Sequence, residues 1–343
     1  MKDQAVNFIK EQLNYIKSRQ RDLVIDTDTH ITHPDEIGEE NEKELSKHNG
    51  YFHGMPICAE QLLNEMDLSN VDMALTWQNP SCITYSQDLE NNYRLLLKAN
   101  TYIYESSRKY PTRFIPAGWT DPKALGVKGA IRLVEYLISE YGFGIVKMNP
   151  AQNQFYLDSS EVVEVLDTII ELAAVPAFHI GSDTPYTPVT ALEKIATMYK
   201  DHQIIAVHMG GGGGGYLESE ENYQKIRDLG LRYPNIKFPL SAKRDTHIES
   251  DLISYELAGD PFNKNLFYAS DAPYGKIGWN IGGFRALIQN LKQDSYIGDK
   301  RLLQNPGLFN SITEKRILGG NFANFIVDVY NKLLQTQGYL MTK

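Results

Sequence analysis

The sequence predicts an α/β fold, a (β/α)8 TIM barrel, and three observations carry that prediction. Short apolar runs alternate with longer amphipathic stretches almost from end to end, the pattern of strands joined by crossover helices in a parallel sheet. Eight such units fit within the 343 residues. An open doubly wound sheet can be written from the same alternation, but eight units favour a closed barrel, which needs roughly 250 residues. Finally, residues capable of chemistry fall at the ends of the strand-like runs, where a barrel collects its active site.

The elements follow in order. Residues 1–20 read as an extra amphipathic helix ahead of the first strand. Strand-like runs lie at DLVID (22–26), VDMALTW (71–77), RFIPAGW (113–119), GIVKM (144–148), VPAFHI (175–180), QIIAVHM (203–209), NIKFPL (235–240) and NLFYASD (265–271). Between them lie helix-like stretches, among them CAEQLLNEMDL, LENNYRLLLKANTYIYESSRKY, GAIRLVEYLISEY, SSEVVEVLDTIIELAA and TALEKIATMYK. Residues 31–57 form a long, partly acidic loop after the first strand, and residues 295–343 a C-terminal helical cap. With no Pro/Gly/Ser linker and no internal repeat, one domain is expected over 1–343, its barrel core at about 22–292.

Composition narrows the function classes. With 42% hydrophobic and 22% charged residues, disordered, collagenous and disulfide-scaffold readings are out. The 34 Lys+Arg against 43 Asp+Glu leave a net charge of −9. That balance, without a long basic run, argues against nucleic-acid and anionic-membrane binding. Cys58 and Cys82 are the only cysteines, too few for a disulfide framework or a thiolate metal cage. The N-terminal stretch is broken by charges and lacks an apolar signal core. No apolar run reaches bilayer-spanning length, so the expectation is a soluble cytoplasmic protein with reduced thiols.

Five metal-competent residues fall at strand ends. Asp28 and His30 follow the first strand, His179 closes the fifth, His208 the sixth and Asp271 the eighth. Asp28 and His30 are two apart, so in extended chain both side chains point to one side. Imidazole with carboxylate suits zinc or a similar divalent ion. The other histidines read as loop or cap residues: His33, His48 and His53 in the first loop, His202 before a strand, His247 opening a helix. His53 lies in a loop placed to cover the site.

These segments resemble the amidohydrolase-related family, and within it the branch around aminocarboxymuconate semialdehyde decarboxylase. The matching motifs are IDTDTHITHP, GIVKMNP, FHIG, AVHMGGG, ASDAPYG and ILGGNFANFI, spread from residue 25 to 326. The resemblance implies that His30, His179 and Asp271 bind one divalent metal, most simply Zn2+, with Mn2+ or Fe2+ as alternatives. It implies His208 beside the metal as acid/base or polarising residue. Asp28 stands where the family usually has the first histidine of a His-x-His pair, as in some decarboxylases of the branch. Lys147 occupies the place of a lysine that in binuclear members is carbamylated and bridges two metals. The plainer alternative is a charge that anchors substrate or pairs with a carboxylate.

Other groups at the predicted rim complete the reading. Gly210–Gly215 is a flexible turn or a set of backbone N–H groups facing an anion; no Lys-Ser or Lys-Thr follows to make a nucleotide loop. Lys243 and Arg244 read as a solvated basic pair, or with Arg244 as a clamp for a substrate carboxylate. Trp77, Trp119 and Tyr274 read as walls of a substrate pocket for a flat ring or, equally, as packing residues.

The same metal site permits decarboxylation, with His208 or Asp271 managing the proton that replaces carbon dioxide. It equally permits hydrolysis, with Asp271 accepting a proton from metal-bound water and His208 steadying the oxyanion. The expectation is a metal-dependent carboxy-lyase acting on a small unsaturated or aromatic carboxylate. Its alternatives are hydrolysis of a lactone or amide, and a non-catalytic barrel used for binding or assembly. A homodimer is expected from family habit and from the helical additions.

Overall fold

The computed structural model describes residues 1–20, 22–37, 56–181, 184–211, 216–293, 299–336 and 338. Parallel strands run in sequence order: β1 (Ile25–Ile31), β2 (Met73–Gln78), β3 (Phe114–Pro116), β4 (Gly118–Trp119), β5 (Ile145–Met148), β6 (Val175–His179), β7 (Ile204–Val207), β8 (Ile236–Pro239) and β9 (Leu266–Phe267). β3 and β4 are one stave interrupted at Ala117, whose N–H donates to Thr76 O of β2 at 3.0 Å. The last stave returns to the first. Thr29 pairs in parallel with Ala272, the Thr27 N–H and hydroxyl both donate to Tyr268 O at 3.1 and 2.8 Å, and the His30 N–H donates to Ala272 O at 2.6 Å. These bonds join the two ends of the strand order into a ring.

The first stave corrects the sequence reading. The apolar run at 22–26 predicts a strand that ends before Asp28, yet β1 continues to Ile31 and contains both Asp28 and His30. All seven of its residues are buried, because inward-facing polar groups at the barrel's end destroy the alternation that marks a half-exposed strand. A register shift between Asp26 and Thr29 is a bulge, a device that re-aims side chains.

Helices Ala59–Ser69, Leu89–Lys109, Pro122–Tyr141, Ser160–Glu171, Val189–Met198, Tyr216–Gly230, Asp245–Ala258 and Ile277–Leu291 follow the staves. The helix expected from residue 129 begins earlier, at Pro122. There the Asp121 carboxylate accepts from the Lys123 and Ala124 N–H groups at 2.9 and 2.7 Å, and the helix bends at Gly126 (φ 66°). Proline at the first position and glycine at the end (Gly142, φ 73°) are the expected punctuation.

The added helices close the bottom of the barrel. Asp3–Arg19 and Asn321–Thr336 pack on each other. The buried Gln12 amide donates to Pro111 O and Phe114 O at 3.0 and 2.6 Å, and Tyr330 Oη donates to Gln12 Oε1 at 2.8 Å. Both carbonyls lie at the start of a stave, so the opposite mouth is left for chemistry. Of the expected cap 295–343, residues 299–336 are described. Residues 38–55 of the first loop, with His48 and His53, lie outside the described residues.

Gly319, in the motif ILGGN, carries this bottom closure. A Cβ there would sit 1.9 Å from Leu23 O and 2.8 Å from Leu23 C, backbone atoms that cannot move aside. Gly319→Ala is therefore expected to destabilise the fold by about 3 kcal/mol or more, read as a lower urea midpoint. An unchanged midpoint would show that this packing is not tight.

Candidate active site

At the upper mouth the strand ends converge on one carboxylate. Asp28 is fully buried. Its Oδ1 accepts from Trp77 Nε1 at 3.0 Å and from Lys147 Nζ at 3.4 Å, and its Oδ2 accepts from Ser241 Oγ at 2.6 Å. Burial alone would raise its carboxyl. The neighbouring Lys147, His208 and His30, with the Ser241 hydroxyl, outweigh burial and hold it below the usual carboxylate range. Lys147, buried at the end of β5, lies 3.9 Å from the centre of the Trp77 ring and 5.3 Å from that of Trp119. Burial pulls its ammonium below the ordinary lysine value despite the Asp28 and Asp271 charges.

His30 supplies the test for a metal. Its Nδ1 lies 2.8 Å from Gln78 O; a carbonyl only accepts, so Nδ1 carries the proton. Burial and the Lys147 charge lower its pKa to about 3, so the ring is neutral at physiological pH. The Nε2 lone pair then faces Asp28 Oδ1 at 3.6 Å and Asp271 Oδ1 at 3.5 Å. Three electron-pair donors, one each from Asp28, His30 and Asp271, lie within 4.8 Å of one another. A cation among them is the arrangement that satisfies all three, and a ligating imidazole held from behind by a backbone carbonyl is the usual form. Burial and the Asp28 charge push the Asp271 carboxyl well above the usual range.

His179 and His208 stand together on the other staves, their rings 4.8 Å apart and edge to face. His179 is also an electrostatic neighbour of both His30 and Asp271. His208 Nδ1 lies 2.9 Å from Ser241 Oγ and 3.8 Å from Asp28 Oδ2. Both His208 (φ 72°) and Asp271 (φ 62°) hold left-handed backbone, which costs non-glycine residues about 1–2 kcal/mol each. Strain of this kind gathers where side chains must be aimed.

The structure brings together Asp28, His30, Lys147, Trp77, Trp119, His179, His208 and Asp271. Tyr274 joins them: its ring stands perpendicular to His30 at 5.5 Å, and its hydroxyl donates to Asn79 Oδ1 at 2.7 Å. One rim assignment changes. Lys243 is not a solvated cation: its side chain is fully buried, 2.8 Å from Asp251 and 4.2 Å from the Tyr223 ring. The Gly210 and Gly211 N–H groups are spent on Ile180 O and His208 O at 2.7 and 2.8 Å, so these two serve the turn; Gly212–Gly215 lie outside the described residues. Arg244 meets Glu220 at 3.6 Å, with about a third of its side chain exposed. His247 is a packed residue, stacked on Tyr223 at 3.7 Å and 2.6 Å from Glu220.

Ser241 is the participant that sequence reading missed. Serine after a strand is common, and only closure of the ring brings it from the end of β8 to Asp28 on β1. Cys58 and Cys82 are free thiols, and among the described residues no helix is long and apolar enough to cross a membrane.

Residues 25–291 match the family described as Amidohydrolase. No curated protein matches the chain. Among solved structures it is similar to 5-carboxyvanillate decarboxylase from Sphingomonas paucimobilis, at 16% identity and a TM-score of 0.61, over 89% of this chain and 98% of that one. It is similar to dihydroxybenzoic acid decarboxylase from Polaromonas sp. JS666, with bound manganese and the inhibitor 2-nitroresorcinol, at 14% identity and 0.62, over 94% and 100%. A 2,6-dihydroxybenzoate decarboxylase holding 2,6-dihydroxybenzoate matches at 13% and 0.60, over 89% and 98%.

Burial raises the Asp271 carboxyl, so a cation entering the site competes with a proton for it. Divalent-metal affinity is therefore expected to fall by about tenfold per pH unit below that carboxyl's pKa. Calorimetry in buffers of different ionisation enthalpy should show proton release on binding. Affinity independent of pH from neutrality downward would contradict the assignment of Asp271. His30→Ala should abolish stoichiometric metal in plasma mass spectrometry while leaving the circular dichroism of the barrel intact.

Proposed function

Since the chain belongs to the amidohydrolase family, we propose that it is a metal-dependent, non-oxidative decarboxylase of a small aromatic or unsaturated carboxylate. The observation that carries this reading is the neutral His30 imidazole, its lone pair turned toward Asp28 and Asp271 with Lys147 behind them. The first-position carboxylate of Asp28-x-His30 and the likeness in fold to three decarboxylases support a lyase over a hydrolase.

Asp28, His30, His179 and Asp271 would hold one divalent ion. Carboxylates with imidazoles suit zinc and manganese alike, and a dihydroxybenzoic acid decarboxylase of similar fold holds manganese. When bound, the ion supplies positive charge that fixes an anionic substrate and draws electron density from its reacting carbon.

The chain's own residues do the rest. Trp77 and Trp119 pack about Lys147 and exclude water from the buried end of the site. Lys147 offsets the negative charge of Asp28, so that an anionic substrate can approach. Arg244 at the rim offers a planar pair of donors to a carboxylate. His208, acting as the imidazolium, gives a proton to the carbon that bears the carboxylate; the C–C bond then breaks, its electron pair returns to the ring or double bond, and carbon dioxide leaves. The imidazole regains its proton from solvent, so the balance is substrate carboxylate plus one proton to carbon dioxide and the protonated product.

The enzyme is read as a homodimer of the cytoplasm. The exposed Leu68 and Trp279, on the neighbouring helices Ala59–Ser69 and Ile277–Leu291, support a contact there. Light scattering giving a single-chain mass would refute it.

Carbon dioxide release is expected from at least one member of a panel of hydroxybenzoic and muconate-like acids, dependent on about one ion per chain. His208→Asn should lower kcat by on the order of 10²–10⁴ with metal content unchanged, and Arg244→Ala should raise KM more than it lowers kcat. No release from any acid, with metal-dependent hydrolysis of lactones or amides instead, would hand the site to the hydrolase reading. About two ions per chain would favour a carbamylated Lys147.

A further inference from the structure

Ser241 lies between two groups of opposite need. Its Oγ is 2.6 Å from Asp28 Oδ2 and 2.9 Å from His208 Nδ1. A serine hydroxyl has one proton to give and lone pairs to receive. Asp28, with the Lys147 ammonium 3.4 Å away and the Trp77 indole N–H at 3.0 Å, is an ionised carboxylate, and an ionised carboxylate only accepts. The serine proton therefore goes to Asp28, in a short charge-assisted bond. What remains for His208 is a lone pair of the hydroxyl.

A second, independent contact points the same way. The backbone carbonyl of Ser241 lies 3.4 Å from His208 Nδ1, and a carbonyl cannot donate. Asp28 Oδ2 is a further acceptor at 3.8 Å. With the proton on Nε2 instead, the Nδ1 lone pair would meet three oxygens that offer it no hydrogen. The backbone fixes the arrangement: His208 (φ 72°) and Ala242 (φ 50°) are both left-handed, and the Gly211 N–H donates to His208 O at 2.8 Å. Each turn is thereby fixed in itself, and the contacts of Ser241 Oγ and O with His208 Nδ1 join the two.

We propose that Ser241 is a positioning residue that sets the tautomer of His208: by spending its proton on Asp28 it obliges His208 to carry hydrogen on Nδ1, which leaves Nε2 as the nitrogen that exchanges a proton with a reactant. The tautomer stands on the geometry alone; only the last clause rests on the proposed decarboxylation. Asp28 thereby acts on His208 through one hydroxyl, and the group that faces the proposed metal also orders the group that moves the proton.

The test is spectroscopic and needs no substrate. Protein labelled with 15N in its histidine rings, loaded with zinc, is observed at mildly alkaline pH through two-bond proton–nitrogen correlations, the His208 signals being assigned by their loss in His208→Gln. The expected pattern has a protonated, pyrrole-type Nδ1 and a pyridine-type Nε2. Proton on Nε2 in the unaltered protein would overturn the proposal without touching the reading of the reaction. In Ser241→Ala the preference is expected to weaken without vanishing, because the backbone carbonyl still accepts from Nδ1, and in Ser241→Thr, which keeps the hydroxyl, to return in full; an unaltered pattern in Ser241→Ala overturns the role of the Ser241 hydroxyl. Where turnover is measurable, Ser241→Ala should lower kcat by about 10–100-fold with little change in KM, and Ser241→Thr should recover most of it.

Discussion

The upper half of this barrel is organised by the need to stabilise one buried negative charge. An ionised carboxylate taken out of water costs several kcal/mol unless its oxygens are fully engaged, and Asp28 is engaged from every side. The indole of Trp77 on β2, the ammonium of Lys147 on β5 and the hydroxyl of Ser241 after β8 reach it, while His30 of its own strand and His208 after β7 lie at 3.6 and 3.8 Å. Staves that share no hydrogen-bond ladder are thus tied through a single side chain. Removing Asp28 would leave Lys147 as a buried, uncompensated cation, so the charge pair and the arrangement of the site stand or fall together.

One layer below, a second acid supports the same geometry. Asp26 is fully buried, and burial raises its carboxyl to about 7 despite the Ser270 contacts. Its Oδ1 accepts from the Ser270 and Asp28 N–H groups at 2.9 and 3.3 Å. It therefore holds the backbones of the first and last staves beside Asp28 and Asp271, the two carboxylates that face His30. The closure bonds from Thr27 to Tyr268 and from His30 to Ala272 work at the same seam. Barrel closure and assembly of the site are, at this point, one set of interactions.

Stability and chemistry are divided between the two ends. At the bottom, Gln12, Tyr330 and Gly319 fit the terminal helices to the strand starts through buried bonds and close backbone contact. At the top, left-handed residues at His208 and Asp271 and the burial of the Asp28–Lys147 charge pair lower the stability that this end could otherwise reach. A tightly packed floor allows strained strand ends, because each can hold its conformation only while the rest of the barrel determines it.

Much of this was legible in the linear chain. Period-two and period-3.6 patterning is local, so the alternation of strands and helices and the N-terminal helix could be read directly, and the motifs placed Asp28, His30, His179, His208 and Asp271 at the mouth of one barrel. The register between distant segments could not be read this way. β1 was cut short because its polar inward residues lack an apolar signature. Lys243 looked solvated because nothing near it in sequence announces Asp251. Ser241 looked ordinary because its partner Asp28 is 213 residues away. Sequence by itself determined which residues are able to carry chemistry and at which strand ends they stand. Which of them touch, which nitrogen is held from behind and which charge is buried were decided by closure of the ring, because only closure brings the first stave and the last to opposite sides of the same atoms.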